Sequence, residues 1–167
     1  MPDNNIKLVV RLAKISPVHH SFEYVREDGK GAKVELETKT FLFHDFLHFA
    51  VASEAGLQNS FYGMLYSGKE YAALVPKGET GGVFLTGEAA VTERIVGPLT
   101  GVIKGETTTE QFLEGLENIF SAYGEAVPAW VTGDFVEKVK EKMRRLLGEW
   151  NHLPFGQAME ICFSPSS

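Results

Sequence analysis

Cysteine is nearly absent: Cys162 is the only one in 167 residues. Without a second thiol the chain can form no internal disulfide and no CxxC-type metal or redox site. Also missing is any run of the roughly 18 uncharged apolar residues needed to cross a bilayer. The first residues, MPDNNIKLVV, have no signal-peptide profile. These absences make cytoplasmic residence, with no membrane partner, the expectation. Nor is there an excess of base, since 16 Lys and Arg stand against 22 Asp and Glu, a formal net charge of −6. A surface built for phosphate backbones carries a basic patch. The densest basic run, Lys138 to Arg145, is interrupted by Glu141 and preceded by Glu137. That is the pattern of a solvated helix face laced by i,i+4 pairs. Nucleic acid is not an expected partner.

Several catalytic signatures are missing as well. No GxSxG nucleophile elbow occurs. The glycine-rich stretch Pro76 to Gly87, PKGETGGVFLTG, lacks the Lys-Ser/Thr ending of a phosphate-binding loop and the surrounding βαβ unit. It reads as a loop or flap around a small apolar insert, the expected mobile element. Cys162 has no basic neighbour and reads as an inert thiol. There is no internal repeat and no interdomain linker, so residues 1–167 are expected to form one domain.

What the chain does have is bulk. It carries 12 Phe, 5 Tyr and 2 Trp within an ordinary apolar fraction of 44%, ample for one core. Ile6, Leu8, Val10 and Leu12 alternate with Lys7, Val9, Arg11 and Ala13, the period of a half-buried strand. Two further alternating runs, His20 to Glu27 and Ala32 to Lys39, flank an Asp28-Gly29 pair and predict a hairpin. Met159, Ile161 and Phe163 alternate in a final strand over Gln157 to Phe163. Between them lie helical signals. Gly56 is placed to end a helix from Thr40 to Ala55. Short helical turns are expected at Phe61 to Tyr66 and Lys69 to Val75. Glu88 to Ile103 looks helical, with a break or kink expected at Gly97-Pro98. Thr108 and Gln111 form a capping box ahead of Phe112, Leu113, Leu116, Ile119, Phe120 and Tyr123. Another helix starts near Thr132, with the stripe Val136, Val139, Met143, Leu146, Leu147 and Trp150. The predicted fold is α+β, an antiparallel sheet of the N-terminal strand, the hairpin and the C-terminal strand, covered on one face by helices.

The feature with chemical content lies in the segment Phe41 to Ala52, FLFHDFLHFAVA. Apart from His44, Asp45 and His48, its residues are all Phe, Leu, Ala or Val. A helix apolar all round is a buried helix, and ionisable groups on one need partners. Positions i and i+4 lie about 40° apart on a helix, so His44 and His48 can aim imidazole nitrogens at one atom. That is a common way to hold zinc or another divalent metal. Asp45 lies about 60° from His48, and is placed to be a further ligand, a partner for an imidazole N–H, or a base. Otherwise Arg94 or Arg26 neutralises it. Two known helical patterns come near and neither fits. The zinc-protease HExxH helix has Glu where Asp45 stands, and Glu70, at a tolerable distance downstream, lies in no supporting motif. The all-helical HD-type phosphohydrolases take another histidine from an upstream helix, where this chain has strands.

Additional ligands are sought first in His19 and His20, just before the hairpin, and less readily in His152 and Cys162. Two functions from different classes follow. One is a domain binding a small molecule or a metal at His44, Asp45 and His48. The other is a non-catalytic, homo-oligomeric protein-interaction module in which the His/Asp cluster is purely structural. Phe41, Phe43, Phe46, Phe49, Phe61, Tyr62, Tyr66 and Tyr71 crowd one section of chain, and their surplus would line a ligand cavity or be buried in a homodimer.

Overall fold

Alternation in the sequence becomes alternation in space. In the computed structural model, which describes residues 7–71 and 87–165, strand β1 (Leu8–Lys14) buries Leu8, Val10 and Leu12. Strand β2 (His19–Val25) buries His20, Phe22 and Tyr24, and strand β4 (Ala158–Phe163) buries Met159, Ile161 and Phe163. With strand β3 (Gly31–Glu37) they form one antiparallel sheet in the order β3-β2-β1-β4. The opposite face carries a row of alternating charge. Glu160 pairs in register with Arg11, Arg11 with Glu23, and Glu23 with Lys33. Opposite charges directly across strands favour this register over slipped ones, and they keep that face in water.

The β2–β3 hairpin turns where expected. Gly29 takes φ 83°, and the Asp28 carboxylate accepts from the Lys30 N–H at 2.9 Å. Glycine has no Cβ to oppose that left-handed backbone, and the Asp side chain closes the turn locally.

Helix α1 (Thr38–Ala55) follows β3 without a loop. It stops at Gly56, φ 66°, where the Leu57 N–H reaches back to the Ala52 carbonyl at 3.0 Å. This closing motif satisfies one of the helix's orphan carbonyls. Short helix α2 (Phe61–Tyr66) comes next, with Ser60 accepting from the Gly63 N–H at its start. Helices α3 (Gly87–Ile103), α4 (Thr109–Ala122) and α5 (Gly133–His152) follow. The Thr108–Gln111 capping box is present in both directions, each bond 3.1 Å. Thr132 caps α5 by accepting from the Phe135 N–H. The architecture is α+β, with helices covering one face of the sheet around one continuous core. Full burial of a residue such as Phe46, Phe120 or Leu116 contributes roughly 2–3 kcal/mol each.

Three local expectations need correction. Pro98 does not break its helix; α3 runs through it unbroken. Ile95 and Val96 before it and Leu99 and Val102 after it are all buried. Both halves are therefore held on the core, and that burial outweighs the roughly 3 kcal/mol intrinsic cost of an interior proline. Helix α1 is not buried all round. Its second half, Phe46 to Ala52, is buried without interruption, whereas Phe41 and Phe43 are half-buried and His44 is exposed. Tyr123, placed on the apolar stripe of α4, stands 61% exposed just past the helix end. It stacks under the Arg94 guanidinium, 3.8 Å from its ring centroid. The expected turns after Glu70 and the glycine-rich loop lie outside the described residues, apart from Tyr71 and from Gly87 as the first residue of α3.

Candidate metal centre

Helix α1 packs on α5 along its buried side and on α3 along another. The seam between α1 and α3 is where the polar side chains meet. His44 and His48, one turn apart, bring their rings together edge to face with centroids 4.4 Å apart. Facing them from α3 is Glu93. Its Oε1 lies 2.8 Å from His48 Nε2, and its Oε2 lies 3.8 Å from His44 Nε2. One donor atom from each of the three residues lies within 4.8 Å of the other two.

The electrostatics follow from that geometry. The carboxylate beside His44 raises its pKa above the usual imidazole value, outweighing the opposing effect of burial. The two imidazoles hold Glu93 well below the ordinary carboxylate range, so it stays ionised. His48 is the inner wall, its side chain only 9% exposed. Its 2.8 Å approach to Glu93 is off the ring N–H direction, and neither of its ring nitrogens makes a regular hydrogen bond among the described residues. A buried imidazole in that condition is costly unless something further engages it.

Asp45 does not join the three donors. Its backbone carbonyl accepts from the Tyr62 hydroxyl at 3.0 Å, tying α2 to α1. Its Oδ2 is buried without a hydrogen-bond partner among the described residues, and burial pushes the carboxyl up to about 7. Neither arginine considered for it is there. Arg26 donates to the Leu65 and Lys69 carbonyls and pairs with Glu70 at 3.4 Å, closing the end of α2. Arg94 pairs with Glu125 at 2.6 Å. Glu70 is thereby engaged far from any ligand role, and it also accepts from the Tyr24 hydroxyl.

The two upstream histidines are placed elsewhere. His19 is exposed at the start of β2. His20 is fully buried, its Nδ1 3.0 Å from Thr38 Oγ1 and its ring edge-on to Trp150 at 5.7 Å. Burial, with a smaller contribution from His19, lowers its pKa to about 4, so it is neutral. His152 bonds the Gly148 carbonyl within its own helix, and Cys162 is exposed on β4. Glu93 is the ligand candidate that sequence reasoning missed. It stands in a segment with no ligand motif, beside an arginine that turns the other way, and only the packing of α3 on α1 brings it to the histidines.

Family models, curated proteins and solved structures contain no match to this chain.

Proposed function

We propose that the protein binds a divalent transition-metal ion, zinc or a close neighbour, at the α1–α3 seam through His44, His48 and Glu93. The supporting observation is the convergence of two imidazoles and an ionised carboxylate within 4.8 Å. Ligands about 2.0–2.2 Å from a tetrahedral ion stand roughly 3.3–3.6 Å from one another. The 2.8 Å from His48 to one Glu93 oxygen and the 3.8 Å from His44 to the other lie on either side of that spacing. Imidazole with carboxylate is a donor set suited to zinc and its borderline neighbours.

The second reading is a metal-free cluster that pins α3 to α1 in an interaction module. The 2.8 Å contact of Glu93 with His48 favours it, because it joins the two helices with no ion between them. Metal analysis of untagged protein, together with thermal unfolding, separates the two. At about 100 times Kd a bound metal stabilises by roughly 2.7 kcal/mol. For a domain of this size that is a rise in Tm of about 5–10 °C, reversed by chelator. No stoichiometric metal and no rise with added zinc would leave the structural reading standing alone.

A further inference from the structure

We infer that a metal ion held here keeps at least one coordination position open to solvent and takes a small oxygen-donor anion, of the carboxylate or hydroxamate class, directly on the metal. This rests on the metal-binding reading above and adds to it the kind of site and the kind of ligand.

The first support is the number of donors. Among the described residues only His44, His48 and Glu93 bring donor atoms of His, Cys, Asp or Glu together at this place. Zinc sites that serve only structure are closed by four protein ligands, whereas sites that exchange ligands keep three and leave the next position to water or substrate. An ion preferring six positions would leave more of them vacant.

The second support is the direction of the opening. Exposure is graded across the three side chains, with His48 at 9%, Glu93 at 38% and His44 at 50%. His48 forms the wall towards the core, and the other two stand at the rim. An ion between them has its protein-filled side inward and its unfilled side outward. A site serving only to staple α3 to α1 would gain from the opposite arrangement, since enclosure strengthens each electrostatic contact.

Charge selects the ligand. Two neutral imidazoles and one carboxylate around a divalent ion leave a net charge of about +1, which favours an anion over a neutral donor. Oxygen donors, carboxylate among them, are within the ordinary ligand range of zinc and its borderline neighbours.

Cobalt(II) reports both levels separately, because its visible absorption changes with ligand set and coordination number. The full chain, freed of metal by chelator, is titrated with cobalt and then with acetohydroxamate or acetate. The expected result is a protein-dependent cobalt spectrum whose bands shift and saturate on adding acetohydroxamate, with zinc abolishing both spectra. A cobalt spectrum that stays unchanged with either anion means protein groups fill the shell; the open position is then refuted while the metal reading stands. Absence of any protein-dependent cobalt spectrum, with no stabilisation by zinc, refutes both.

Discussion

Glu93 Oε1 meets His48 Nε2 at 2.8 Å across the seam between α3 and α1, joining residues 45 positions apart in the chain. Their contact turns two adjacent-turn histidines into a three-donor cluster. It also assigns unequal roles: His48 is deep and Glu93 is half-exposed, with His44 at the rim.

The first prediction concerns which side chains hold the ion. His48→Ala and Glu93→Gln should each weaken zinc binding beyond the roughly 10- to 100-fold typical of changes outside the ligand shell. Isothermal titration of the purified variants measures this. If Glu93→Gln binds as the parent does, the carboxylate is no ligand and the site is not the one described.

Asp45 supplies the matching control. It lies outside the cluster, so Asp45→Asn should weaken zinc binding by no more than the roughly 10- to 100-fold typical of an outer-shell neighbour. The variant should also lose a pH dependence. Asp45 in the folded protein is raised to about 7, above its unfolded value of about 3.9. Its stabilising contribution is thus greatest at low pH and declines as pH rises from about 4 to 7. Urea denaturation across that range should show stability rising more steeply with pH in Asp45→Asn than in the parent, where the Asp45 decline opposes the rise contributed by His20; identical profiles would refute it.

His20 makes the opposite contribution. Its folded pKa, about 4, lies below its unfolded value of about 6.5, so the unfolded chain binds the extra proton between those values. Stability then rises with pH from about 4 to 6.5 and is lost as pH falls through that window. The groups around the ring are His19 beside it, Thr38 on Nδ1 and Trp150 at its edge, with Lys14 opposite in the register of β1. Each pKa unit is worth about 1.4 kcal/mol, so the whole window is worth about 3–4 kcal/mol. His20→Leu should remove this part of the slope whatever its absolute stability. A slope unchanged by the substitution would show that other groups carry it.

Pro98 gives a test of the fold itself. Because α3 runs through it, Pro98→Ala restores a backbone N–H donor in a segment already helical. The gain should be about 1–3 kcal/mol, the interior-proline penalty less the entropy that proline removes from the unfolded chain. Thermal unfolding should show a higher Tm. A fall would mean that the proline ring itself packs in a way alanine cannot replace.

Local chemistry made most elements legible in the sequence. The period-two runs became β1, β2 and β4, Asp28-Gly29 became the hairpin turn, and Gly56 and the Thr108–Gln111 box marked helix ends where expected. Those signals act within a few residues, through backbone sterics and nearby hydrogen bonds. The i,i+4 spacing of His44 and His48 was legible for the same reason, since helical geometry alone puts them on one face.

Tertiary structure decided the rest. A proline penalty of a few kcal/mol is set locally, but the burial that overrides it in α3 depends on which elements lie against Ile95, Val96, Leu99 and Val102. The exposure of His44 depends on where the cover of α1 ends. Above all, composition and spacing place a glutamate at 93 without saying what it faces. Only the docking of α3 on α1 sets it against His44 and His48, and that docking is fixed by the shape of the whole core rather than by any signal near Glu93 in the chain.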